Sequence, residues 1–183
     1  MQILAIILGL IVIAILAILA IAATKPATFS IRRTTDVDAA PEAIFPLIND
    51  FRNWHDWSPW EALDPDLKRK MSGAESGRGA VYEWEGNKKV GSGRMEITEV
   101  TAPTKVVIKL DFLKPFEAHN LARFTMEPQN GKTRLNWEMT GPSPFMSKVM
   151  QVFMNFDTMV GTDFEKGLAS LKAIAERQRL AGS

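Results

Sequence analysis

The chain has 183 residues, 46% of them hydrophobic, and its 22 basic and 21 acidic side chains leave a net charge of +1. Charges so nearly balanced give no electrostatic case for nucleic acid as a partner. The absence of cysteine excludes disulfides, thiolate zinc sites and a cysteine nucleophile, while five Trp, ten Phe and nine Met supply bulk for an apolar core or a ligand cavity.

From Ile3 to Ala23 no residue is charged. A helix of that length is about 32 Å long and matches a hydrocarbon core of about 30 Å. It has no polar face, so residues 1–25 read as a single transmembrane anchor. The rival reading is a cleaved signal peptide, which needs a basic n-region and a shorter apolar run. Met1-Gln2 supplies no base, although Ala20-Ile21-Ala22 resembles a cleavage site. Lys25, Arg32 and Arg33 follow the span, and the positive-inside rule then places the rest of the chain in the cytoplasm rather than outside. Lys25-Pro26 ends the span, and a short linker leads into one domain over 26–180, held close to the bilayer.

Thr28 to Val37 reads as a first strand. Asp38-Ala39-Ala40-Pro41-Glu42 reads as a helix start, with Asp38 or a neighbour as cap and Pro41 in the first turn. That helix carries Ile44, Phe45, Leu47 and Ile48 and ends near Asn49-Asp50, before a short helical or irregular segment from Phe51 to Leu63. Period two then takes over. Val81 to Glu85 alternates, and Gly86-Asn87 turns the chain into Lys88-Lys89-Val90. Arg94 to Val100 puts Met95 and Ile97 on one face, and Lys105 to Phe112 does the same for Val106, Ile108, Leu110 and Phe112. After the break at Lys114-Pro115, Glu117 to Met126 aligns Ala122, Phe124 and Met126. Gln129-Asn130-Gly131-Lys132 is a hairpin turn, because Asn and Gly accept positive φ. Thr133 to Thr140 then turns Leu135, Trp137 and Met139 inward.

The end is helical. Phe145 to Phe156 is apolar and Met-rich, with Met150, Phe153 and Met154 expected to face inward. Thr162-x-x-Glu165 fits a capping box. Phe164, Leu168, Leu171 and Ala175 form one face of a helix running to about Arg179. The order predicts an α+β domain: an antiparallel sheet of about six or seven strands wrapped on a long C-terminal helix, preceded by the single transmembrane helix.

Six segments carry a resemblance. They are Ala40-Pro41-Glu42-Ala43-Ile44-Phe45, FRNWHDWSPW from Phe51 to Trp60, Tyr82-Glu83-Trp84, GSGRMEI from Gly91, Thr133 to Met139, and GTDFEKGLASLK from Gly161 to Lys172. Together, over about residues 28–178, they resemble the START-like (SRPBCC) superfamily, and within it the polyketide cyclase/dehydrase and lipid-transport proteins. The resemblance implies a helix-grip fold around a deep apolar pocket. It does not imply one chemistry, since the superfamily includes lipid carriers, hormone receptors, oxygenase subunits and cyclases.

The expected ligand-binding residues are Trp57, Trp60, Trp84, Met95, Phe112, Phe124, Trp137 and Met139, with Met150 and Phe153 from the helical side. The Trp54, Trp57, Trp60 cluster reads as packing of the short helices onto the sheet, or as a pocket mouth or membrane-facing belt. No HExxH, ligand-spaced cluster, dinucleotide fingerprint or nucleophile elbow occurs, so no catalytic residue, metal or cofactor is assigned. His55 among the tryptophans is a weak general-base candidate and a better surface histidine. The expected function is membrane-anchored binding or transfer of a small hydrophobic, lipid-like ligand. The alternatives are a cyclase, dehydratase or hydrolase acting on a hydrophobic, polyketide-like substrate, and a partner-binding module with a filled core.

Overall fold

The computed structural model describes residues 2–182. Helix α1 (Gln2–Thr24) is exposed along its length except for half-buried Ile18 and buried Ala22, four residues apart on one face. It is long and apolar enough to cross a membrane. Seven strands follow: β1 (Thr28–Val37), β2 (Lys68–Gly73), β3 (Ala80–Glu85), β4 (Ser92–Thr101), β5 (Lys105–Lys114), β6 (Ala118–Gln129) and β7 (Lys132–Pro142). They form one antiparallel sheet in the order β1-β7-β6-β5-β4-β3-β2. Helix α2 (Pro41–Asn49) and two short 3-10 helices lie between β1 and β2, and α3 (Phe145–Phe153) and α4 (Phe156–Gly182) follow β7.

The core is where period two meets period 3.6. Ala122, Phe124 and Met126 of β6 and Leu135, Trp137 and Met139 of β7 are buried on one sheet face. Phe164, Leu168, Leu171 and Ala175 of α4 are buried against that same cluster. Each of the larger side chains contributes about 1.5–3 kcal/mol by leaving water. Register keeps the set together: Ile31 of β1 lies opposite Met139, and Phe124 of β6 opposite Trp137. This is the α+β sheet-on-helix architecture that the periodicities predict, and the helix-grip fold that the resemblance implies.

Several local expectations are corrected. Strand β2 is unforeseen, because every one of its residues is exposed and KRKMSG has no apolar alternation. Lys88-Lys89-Val90 is no strand: it lies in the connection where Asn87 Oδ1 accepts from the N–H groups of Lys89 and Val90. At α2 the N-cap is Ala40, with no side-chain bond, and Pro41 opens the helix. Asp38 turns instead to α4, its N–H donating to Glu176 and its carboxylate accepting from Arg179.

The Phe145–Phe156 helix breaks at Met154-Asn155, where Asn155 Oδ1 accepts from the Thr158 N–H at the start of α4. Thr162 is therefore inside a helix rather than capping one. Its hydroxyl donates to the Thr158 carbonyl, and Glu165 is taken by Arg33 at 2.7 Å. The inward expectation for Met150, Phe153 and Met154 also fails, since they are 38%, 69% and 44% exposed. Helix α4 runs on past Arg179 to Gly182.

Candidate functional site

The segment after α2 builds an aromatic wall. Trp54 Nε1 donates to the Ile48 carbonyl at 3.0 Å, and Trp57 Nε1 to the Leu47 carbonyl at 2.9 Å. Both acceptors belong to the last turn of α2, whose carbonyls have no helical partner of their own. The spacing of three thus docks both indoles on one helix end and buries them. Trp57 meets Trp137 edge-on at 5.5 Å, Trp60 meets Trp137 at 5.7 Å, and Trp137 stacks on Phe164 at 4.1 Å with rings 5° from parallel.

Between this wall, the sheet and α4 lies a cavity of about 90 Å³. Trp60, Trp84, Met95, Phe112, Trp137 and Met139 line it, together with Ser58, Glu61, Tyr82 and Phe164 among others. Trp57 and Phe124 are buried in the layer behind and support its wall. Met150 and Phe153 do not reach it: both are exposed on α3, and Phe153 lines a different space.

That space is an open groove of about 900 Å³ between the starts of β1 and β6, α3 and the first turn of α4. Lys25 and Pro26, where α1 gives way to the domain, form part of its rim. Among the described residues Met139 alone lines both the cavity and the groove. Two buried polar atoms lack partners among the described residues at these spaces: Nε1 of Trp137 at the cavity and Oδ1 of Asn120 at the groove.

The sequence signature described as polyketide cyclase/dehydrase and lipid transport matches residues 28–176. The chain belongs to this family. No curated protein matches it. Among solved structures it is similar to the di-domain ARO/CYC StfQ from the steffimycin biosynthetic pathway, at 14% identity and a TM-score of 0.62, over 86% of this chain and 53% of that one. It is similar to protein MLL2253 from Mesorhizobium loti, at 13% identity and a TM-score of 0.60, over 81% of this chain and 98% of that one. It is also similar to the Aha1 dimer protein from Colwellia psychrerythraea, at 15% identity and a TM-score of 0.57, over 81% of this chain and 96% of that one. Identities this low establish the shared fold and nothing finer.

For a member of the polyketide cyclase/dehydrase and lipid-transport family, the cavity is narrow. Ligand pockets usually hold about 300–1,000 Å³, and this 90 Å³ space is bounded by the rings of Trp60, Trp84 and Trp137. Its polar rim was not foreseen. Tyr82 donates its hydroxyl to Glu61 at 2.6 Å, and Arg69 holds the other Glu61 oxygen at 2.6 Å. Burial, and then the Glu61 carboxylate, push the Tyr82 hydroxyl well above its ordinary range, so it stays protonated and acts as a donor. No sequence spacing announces this trio, because the pairing of β2 with β3 brings Arg69 to it. His55 is exposed, with its ring bonded to the Arg52 carbonyl and facing Asp56. Among the described residues no three His, Asp or Glu side chains are placed to share a metal ion.

Proposed function

We propose that this protein binds a small hydrophobic, lipid-like ligand between its sheet and α4, and exchanges it with a bilayer in which α1 anchors the domain. The observation that carries the reading is the juxtaposition of the small apolar cavity with the wide groove, with Met139 lining both at the end where α1 leaves. A methionine side chain has three rotatable bonds and repacks readily. Swinging it aside joins the cavity to the groove, and the combined space falls in the usual range for a ligand. Apolar area then drives binding at about 25 cal/mol per Å². The free indole N–H of Trp137 supplies a donor for an oxygen on the ligand. Residues 1–25 are the anchor in this reading, 26–180 the ligand-binding domain, and the cytoplasm its side of the membrane.

The test is mass spectrometry of small molecules retained by the full chain purified in nanodiscs, with Trp137→Phe alongside. The variant keeps a ring and loses the N–H. A stoichiometric lipid-like species, held about tenfold more weakly by the variant, is the expected result. A wild-type protein that retains nothing beyond bulk nanodisc lipid overturns the reading.

The Tyr82–Glu61–Arg69 cluster favours a second reading, a cyclase or dehydratase. There a protonated Tyr82 would donate to a carbonyl oxygen of a polyketide-like substrate at the cavity rim.

A further inference from the structure

Helix α3 is built inside out. At 3.6 residues per turn, Phe145, Met146, Met150 and Phe153 fall within about 140° of arc, and the remaining residue in that arc, Val149, is apolar too. A helix packed on a globular core turns such a face inward. Here the four are 51%, 69%, 38% and 69% exposed. The other side, with Ser147, Lys148, Gln151 and Val152, is half-buried, as is Val149 between the four exposed residues, and Gln151 donates to Ser143 Oγ at 2.8 Å. No α3 residue is buried.

What lies beside the helix indicates its partner. α1 packs against α3, and the covered face of α1 is the one holding Ile18 and Ala22, at its C-terminal end. A bilayer that takes up α1 therefore ends its hydrocarbon at the level of α3. Lys25 directly follows the span, at the end where α3 packs and where phosphate headgroups would begin. The other lip of the groove is similar: the β5–β6 connection leading to Glu117 and Asn120 carries Phe116, which is 76% exposed.

We propose that the outward face of α3, Phe145, Met146, Met150 and Phe153, is embedded in the surface of a lipid bilayer and sets the groove mouth against it. The proposal rests on α1 being an anchor, and it adds that the domain lies on the membrane instead of swinging on the Lys25-Pro26 linker. The partner is a bilayer containing anionic phospholipid, matched to Lys25 at the end of the span.

The chain has no cysteine, so single reporters are clean. Full chains carrying Ile13→Cys in α1, Phe153→Cys in α3 or Lys132→Cys in the β6–β7 hairpin are labelled with bimane. They are reconstituted into vesicles of phosphatidylcholine and phosphatidylglycerol with brominated acyl chains. Lys132 marks the far end of the domain, since β6 runs 12 residues from the groove to that hairpin. Phe153→Cys should lose its fluorescence most with bromines near the carbonyl end, Ile13→Cys with bromines deeper in the chain, and Lys132→Cys with neither. Loss at Ile13→Cys with none at Phe153→Cys overturns the α3 surface and leaves the anchor standing. No loss at either overturns the anchor, and the α3 surface with it.

Discussion

Gly167 of α4 faces the Trp137 ring so closely that a Cβ built on it would lie 2.7 Å from Cζ3. The glycine is what allows a full indole to stand between α4 and the sheet. Trp137 is stacked on Phe164 and edged by Trp57 and Trp60, which leaves the cavity it lines as the direction in which the ring can give. Gly167→Ala gains about 1 kcal/mol of helix propensity, but overpacking a filled core costs about 1–3 kcal/mol. The expected net effect is a protein destabilised by up to about 2 kcal/mol, with Trp137 pressed into the cavity. Urea unfolding followed by Trp fluorescence checks it, and a variant more stable than wild type would show that the ring yields freely.

Met139 offers the opposite experiment. It is 8% exposed and lines both the cavity and the groove. Met139→Ala truncates this shared side chain at a cost of about 2–5 kcal/mol. The variant should take up a fluorescent apolar probe such as anilinonaphthalene sulfonate faster than wild type in stopped-flow mixing. Equal uptake rates in a folded variant would mean that ligands do not pass this residue.

The sheet and its gripping helix were legible because their burial is one-sided. Period two in β5, β6 and β7 and the recurrence of Phe164, Leu168, Leu171 and Ala175 report directly which face meets the core. Six of the ten expected ligand residues line the cavity, since inward residues near the middle of the sheet have little else to face. β2 was invisible because an edge strand exposed on both faces, KRKMSG, needs no apolar alternation. α3 was misdirected for another reason: a sequence shows that a helix has an apolar side, but not whether that side meets protein or something else. The Tyr82–Glu61–Arg69 trio depends on strand register, which no local spacing encodes.

Tyr82→Phe separates the two functional readings. It removes one hydrogen bond and leaves Glu61 held by Arg69, at a cost of about 1 kcal/mol. As Glu61 is a polar exception in an apolar wall, retention of a lipid-like ligand should change less than about threefold. A cyclase or dehydratase that relied on this proton donor would lose turnover of a polyketide-like substrate while still binding it. The paired measurement is ligand retention by mass spectrometry and turnover by chromatography, and loss of binding itself would place the hydroxyl on the ligand.

His119 of β6 gives the fold a pH signature. Its Nδ1 lies 2.7 Å from Asp111 Oδ1, and its Nε2 lies 3.2 Å from Glu117 Oε1. The hydrogen bond to Asp111 raises the imidazole above its ordinary 6.5, with the Glu117 charge helping. Burial would raise Asp111, but the bonds from His119 and Lys109 outweigh it and hold the carboxyl below its ordinary 3.8. A group whose pKa is raised on folding stabilises the fold fully below its unfolded value, and loses that contribution as pH rises through the folded one. A depressed carboxyl behaves conversely, losing its contribution as pH falls through its folded value. Wild type should therefore exceed His119→Gln in urea midpoint by the widest margin near pH 5–6, between the two ordinary values. The margin should close as pH rises above neutrality. NMR titration of the ring should place its pKa above 6.5 in wild type and lower in Asp111→Asn. A margin that instead widens toward alkaline pH would show that this histidine acts in its neutral form.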